Sequence, residues 1–218
     1  MKKGFIFDLD GVIVDTAKYH YLAWKKLAND LGFEFTEEQN EQFKGVSRKR
    51  CLEILLHDIG NIEYTQQQFD TWMIEKNEDY LQFIENMDAS EILPDVPKVL
   101  NLLKDNNISI ALGSASKNAK PILEKVGLLP YFNVIVDGNH VTKAKPDPEV
   151  FLLAANQLKV QPENCIVFED AFAGIQAANT AKMTSIGIGD ETVLHEAQFN
   201  FNDFTEISPN FIKELIKN

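Results

Sequence analysis

Gly4-Phe5-Ile6-Phe7-Asp8-Leu9-Asp10-Gly11 decides how this chain is read. Four residues with no charge end abruptly on an acidic pair and a glycine, the pattern of a buried strand that stops at a functional edge. At a spacing of two along an extended backbone both carboxylates face the same side, and Gly11 allows a tight turn directly afterwards. Two such acids can divide labour. One ligates a hard divalent cation and attacks an electrophile, and the other, held off the metal, takes and returns a proton.

Working outward, short apolar runs recur at Ile108–Leu112, Val134–Val136, Cys165–Phe168 and Thr184–Ile188, separated by helical patterns. That alternation predicts βαβ units and a mainly parallel sheet, in which the carboxyl ends of the strands carry the ligand site. The stretch between Phe7 and Ile108 reads differently. Apolar residues fall at i, i+3, i+4 in Tyr19–Leu31, Cys51–Leu56 and Phe69–Ile84, so an almost entirely helical stretch is expected, with no strong strand. Such a connection is too long for one crossover, which predicts an α/β core made of residues 1–15 and 88–218, with an all-helical insert at 16–87. Ser90 or Asp95 is expected to cap a helix through Val99–Leu103, and Asn106-Asn107 to turn the chain into the next strand. Asn200–Thr205 shows no clear period.

The 218 residues include 21 Lys and Arg against 33 Asp and Glu, a net charge of −12, which argues against nonspecific nucleic-acid or anionic-membrane binding. A small anionic substrate stays admissible, since a few local cations, a metal ion or backbone N–H groups suffice to hold it. The two cysteines, Cys51 and Cys165, belong to no paired or metal-binding motif and read as buried apolar side chains. No apolar stretch is long enough to span a bilayer, and the first residues do not form a signal sequence, so a cytoplasmic protein is expected.

Three more polar signals close strands of their own. Gly113-Ser114-Ala115-Ser116-Lys117-Asn118 delivers hydroxyls just before a helix, as phosphate binding requires. Lys143-Ala144-Lys145-Pro146 places a lysine in a proline turn where it can neutralise a phosphoryl oxygen and a carboxylate, with Lys145 the stronger candidate and Lys143 a solvated residue. Phe168-Glu169-Asp170 supplies two further acids.

Acid pair, serine, lysine and acid pair, in that order, resemble the haloacid dehalogenase superfamily of phosphoryl-transfer enzymes. The resemblance spans the chain and implies a Rossmann-like core with a helical cap. It makes Asp8 the phosphate-accepting nucleophile and Asp10 the general acid/base, with Ser114 and Lys145 on the transferring phosphoryl group. It also implies Mg²⁺ held by Asp8, the Asp10 backbone carbonyl and Asp170, with Glu169 a direct or water-mediated ligand. Asp10 favours phosphate esters over halides, because an alkoxide leaving group needs a proton.

Asp15–His20, Trp24, Lys44-Gly45-Val46-Ser47-Arg48, Lys76-Asn77 and the Ser114–Asn118 loop narrow the resemblance to the superfamily's sugar-phosphate mutases, which interconvert β-glucose 1-phosphate and glucose 6-phosphate through a bisphosphate intermediate. It implies that Arg48, with Ser116, Lys117 and Asn118 beside Ala115, grips the phosphate that is not being transferred. His20, Trp24, Gly45, Val46, Ser47 and Lys76 would line the sugar, with Thr16 at a hinge. Trp24 and Leu27, three apart on an apolar helix face, read equally as core. A sugar-phosphate phosphatase is the alternative on the same scaffold. A non-enzymatic phospho-acceptor domain also combines a parallel sheet with aspartates, a hydroxyl and a lysine, but resembles one unit without an insert. An independent core and cap are expected to function as a monomer.

Overall fold

The computed structural model describes residues 2–43 and 46–217. Its strands are β1 (Gly4–Phe7), β2 (Ser109–Gly113), β3 (Val134–Val136), β4 (Cys165–Glu169), β5 (Thr184–Ile188) and β6 (Phe199–Phe201). They form one parallel sheet in the order β3-β2-β1-β4-β5-β6. The first strand in sequence is therefore interior in space. The chain leaves β1 for β2 on one side and reaches β4 on the other, and that reversal opens a crevice at the carboxyl ends of β1 and β4.

Contacts divide the chain into two compact units, Met1–Asp15 with Asp88–Asn218, and Thr16–Met87. In the sheet unit, alternation along β1 sorts side chains to the two faces of the sheet. Ile6, in register with Ala111 and Val167, joins one core cluster with Phe151 and Ala154 of helix α7 (Glu149–Leu158) and Ala177 of helix α8 (Phe172–Thr180). Phe7 stacks on Phe168, centroid to centroid 4.7 Å, and both rings stack on Phe204. The strands carrying the acidic tips are thus locked together one residue before those tips.

The remaining helices of this unit are α5 (Val96–Asp105), α6 (Ala119–Lys125) and α9 (Pro209–Lys217). Asp95 does stand at the start of α5, but its side chain caps nothing. Its backbone is left-handed (φ 58°) and its carboxylate accepts from Lys98 Nζ at 2.7 Å. Ser90 lies instead in a short 3-10 turn capped by Asp88. Strands β2 and β4 each extend one residue past their apolar runs, because the ladder continues through Gly113 and Glu169. Strand β6 has no counterpart in the sequence reading. It is a three-residue edge strand held by Asn200, whose Nδ2 donates to the Gly189 carbonyl at 2.9 Å.

The helical unit comprises α1 (Ala17–Asp30), α2 (Glu37–Glu41), α3 (Arg48–Ile54) and α4 (Gln66–Phe83), with a π turn at Leu55–Ile59. Thr36 and Thr65 start α2 and α4 with capping boxes. The apolar faces enclose Trp24, Leu27, Phe35, Phe43, Leu52 and Phe69. Trp24, 2% exposed and edge-on to Phe43, is a core residue of this unit.

Candidate active site

In the sheet unit, the ladder between β1 and β4 runs one residue beyond β1: the Asp8 N–H donates to the Phe168 carbonyl at 3.0 Å. Asp8 is 6% exposed and Glu169 1%. Lys145 reaches between them, with Nζ 2.6 Å from Asp8 Oδ1 and 2.8 Å from Glu169 Oε2. Its loop is tied by Glu149 at the start of α7, which accepts from the N–H groups of Thr142 (3.0 Å) and Lys143 (2.7 Å). Lys143 itself is exposed and pairs with Asp147. The other Glu169 oxygen accepts the Ala171 N–H at 3.1 Å.

Oxygens of Asp8, Glu169 and Asp170 lie within 4.8 Å of one another. Burial pushes the Glu169 carboxyl up to about 7; Lys145 opposes this and the Asp8 charge adds to it. Asp170 is raised well above the ordinary range by burial and then by the Glu169 and Asp8 charges. Burial disfavours the Lys145 ammonium, yet the Asp8 and Glu169 charges outweigh it and raise its pKa. Three acids around one lysine leave uncompensated negative charge, and the donors are all hard oxygens. That set fits a hard divalent cation.

Two glycines make room for these acids. A Cβ on Gly11 (φ 75°) would lie 2.0 Å from Asp170 Oδ2, and one on Gly174 in α8 would lie 2.0 Å from Glu169 Cδ. Asp10 is half-buried and forms an isolated bridge with Val14. Ser114, 1% exposed, follows β2, and its N–H donates to the Val136 carbonyl at 3.0 Å. Its Oγ accepts the Ser116 N–H (3.1 Å), and Ser116 Oγ accepts the Asn118 N–H (3.2 Å), so two successive turns shape the loop before α6. Ala115 is half-buried, Lys117 exposed and Asn118 buried.

A second cluster lies in the helical unit. Lys76, 1% exposed, sits 3.0 Å from His20 Nδ1, 4.5 Å from the Trp24 ring centroid and 4.9 Å from that of Tyr80. Aromatic faces stabilise a desolvated ammonium. Burial, then the Lys76 and Arg48 charges, hold the His20 pKa well below its usual value. A neutral imidazole whose Nδ1 accepts from an ammonium carries its proton on Nε2. Tyr80, stacked on His20 at 4.3 Å, was missed in the sequence although its i+4 spacing from Lys76 marks it.

Arg48 is half-buried, whereas Lys49 and Arg50 are exposed, so the basic run splits. Ser47 caps α3 by accepting the Arg50 N–H at 3.3 Å, and the Val46 carbonyl accepts from Cys51 Sγ at 3.6 Å. Thr16 is fully buried at the start of α1, its carbonyl accepting the N–H groups of Tyr19 and His20. Gly45 lies outside the described residues.

A parallel sheet whose central tips join a lysine-bound aspartate to two further acids defines a phosphoryl-transfer class of site. Residues 2–182 match the family described as haloacid dehalogenase-like hydrolase, and the chain belongs to that family. It is 43% identical to the β-phosphoglucomutase of Bacillus subtilis (strain 168), over 86% of this chain and 83% of that protein. A crystal structure of β-phosphoglucomutase from Clostridium difficile aligns with a TM-score of 0.93 at 41% identity, covering 100% of this chain and 98% of the other. At 34% identity stands a fructose-1-phosphate phosphatase of Escherichia coli (strain K12), over 85% of this chain and 95% of that protein.

Proposed function

We propose that this chain is a phosphoryl-transfer mutase that interconverts β-glucose 1-phosphate and glucose 6-phosphate through phospho-Asp8 and glucose 1,6-bisphosphate. The observation that carries the reading is Asp8 held by Lys145 beside Glu169 and Asp170. Likeness to two β-phosphoglucomutases at 43% and 41% identity supports the mutase over the phosphatase.

In this reading Asp8 attacks phosphorus, and Lys145 and Ser114 neutralise and orient the phosphoryl oxygens. Asp10 removes the proton from the attacking sugar hydroxyl in one half-reaction and returns it to the leaving oxygen in the other. Asp8, the Asp10 carbonyl, Glu169 and Asp170 would hold Mg²⁺, which would supply further neutralisation of negative charge. In the sheet unit Ser116, Lys117 and Asn118 are the candidates for the second phosphate; in the helical unit the candidate phosphate-binding cation is Arg48. A guanidinium fork suits a phosphate bidentately. His20, Trp24, Gly45, Val46, Ser47 and Lys76 serve the sugar, with Trp24 and Lys76 acting from within the helical unit's interior and Thr16 at its start.

The reading includes a cytoplasmic monomer acting on small sugar phosphates and not on nucleic acid or membranes. The net charge of −12 speaks against nucleic acid and anionic membranes as partners, and among the described residues no helix is long and apolar enough to cross a membrane. The test is an assay of purified protein with Mg²⁺, β-glucose 1-phosphate and a trace of glucose 1,6-bisphosphate, following glucose 6-phosphate and inorganic phosphate in parallel. Isomerised product with little phosphate release is expected. Steady phosphate release without isomerised product is the phosphatase result and overturns the mutase.

A further inference from the structure

The Ser114–Asn118 loop has a neighbour that the reading above does not use. Directly after β3 the chain makes a turn, Asp137-Gly138-Asn139-His140, and this turn holds the loop by its backbone. The Gly138 N–H donates to the Ser116 carbonyl at 3.2 Å, and Asn139 Nδ2 donates to the Lys117 carbonyl at 3.0 Å. A Cβ on Gly138 would stand 2.3 Å from the Ala115 carbonyl oxygen, a backbone atom with no freedom to swing away. The turn is braced in its own right. Asp137, 5% exposed, accepts the Asn139 N–H at 2.9 Å and lies 2.8 Å from His140 Nδ1, while the His140 N–H donates to the Asp137 carbonyl at 2.9 Å.

Two consecutive carbonyls of the loop, those of Ser116 and Lys117, are thus turned towards one rigid partner. Fixing a peptide's carbonyl fixes the opposite direction of the following N–H, here those of Lys117 and Asn118. An exposed lysine on an untethered loop loses more conformational freedom on binding an anion, so a tether shows up in affinity.

We infer that the Asp137–His140 turn sets the loop conformation that grips the second phosphate, with Gly138 and Asn139 as positioning residues. This rests on the assignment of Ser116, Lys117 and Asn118 to that phosphate. Neither residue is assigned to the sugar; each acts through the loop backbone.

The test uses Asn139→Ala, which deletes the donor, and Asn139→Asp, which keeps the shape but sets a carboxylate oxygen against the Lys117 carbonyl. Gly138→Ala is the third variant and Lys117→Ala the control. KM and kcat for β-glucose 1-phosphate are measured beside the rate at which acetyl phosphate, which carries a single phosphoryl group, phosphorylates Asp8. Asn139→Ala is expected to raise KM about threefold and Asn139→Asp about tenfold, with kcat and the acetyl phosphate rate within about twofold of wild type. Gly138→Ala is expected to raise KM in the same way, and the two exposed Asn139 variants decide the matter if Gly138→Ala fails to fold. If Lys117→Ala raises KM while both Asn139 variants leave it unchanged, the positioning role is wrong and the phosphate assignment stands. If Lys117→Ala itself leaves KM unchanged, the phosphate assignment fails and takes the positioning role with it.

Discussion

Replacing His20 by Asn probes the helical unit through a charge that the fold refuses. The imidazole stacks on Tyr80 at 4.3 Å and faces Lys76 Nζ at 3.0 Å, and burial with the Lys76 and Arg48 charges lowers its pKa well below 6.5. Between 6.5 and that lowered value the unfolded chain binds a proton that the folded chain does not, so stability must fall as pH falls. With an unfolded pKa of 6.5 the linkage cost is less than about 0.1 kcal/mol at pH 7.5 and at most about 1.4 kcal/mol at pH 5.5. Asn retains an acceptor for Lys76 and has no titration in this range. Its lost ring contact is a constant offset, and the other three histidines are common to both proteins.

The assay is urea unfolding at pH 5.5, 6.5 and 7.5, followed by tryptophan fluorescence. Both tryptophans, Trp24 and Trp72, lie in the helical unit, so the signal reports that unit. The gap between wild type and His20→Asn is expected to narrow from pH 7.5 to pH 5.5, by at most about 1.4 kcal/mol. Parallel pH profiles would refute a buried neutral imidazole at this position.

Three further outcomes follow from the geometry. Lys145→Met leaves Asp8 and Glu169 buried without their shared cation, so unfolding free energy should drop by about 3–5 kcal/mol and kcat by about a thousandfold, measured by urea melts and steady-state kinetics. Gly174→Ala inverts a rule: inside a helix the change normally adds about 1 kcal/mol, but here the methyl collides with Glu169, and calorimetry should show a net loss of about 1–3 kcal/mol. Cys51 and Cys165, whose thiols burial pushes up to about 12 and about 11, should resist a thiol reagent at pH 8 in native protein and react fully in denaturant, as counted by mass spectrometry.

Much of the sheet was legible because a buried parallel strand must be apolar and must stop where polar chemistry begins. The runs at Gly4–Phe7, Val134–Val136 and Thr184–Ile188 coincide with strands, and the acids, serine and lysine that follow the runs stand at strand ends or in the loop before α7. Gly113 and Glu169 were left outside their strands because a glycine and an acid look like terminators, although backbone pairing continues through both. Strand β6 escaped because three residues with a central Asn make too short a pattern, and its hold on Gly189 is a tertiary contact.

Within the candidate site, Lys145 could be read as bridging a carboxylate and a phosphoryl group because its turn follows the third apolar run. The burial of Lys76 could not. A lysine in a helical pattern reads as solvated, and it is the tertiary neighbours, the rings of Trp24 and His20 from another helix and that of Tyr80, that surround it instead. Gly174 and the Asp137–His140 turn were equally hidden, since a glycine's purpose appears only when the atom a Cβ would strike is known.

In the proposed reaction Asp8 is the residue that carries the phosphoryl group. Rapid-quench peptide mass spectrometry of protein mixed with glucose 1,6-bisphosphate and Mg²⁺ tests it directly. One phosphoryl group on the peptide carrying Asp8 is expected, appearing in step with the glucose monophosphate that the transfer leaves behind and absent from Asp8→Ala together with turnover. A label on another residue, or full turnover by Asp8→Ala, would contradict it.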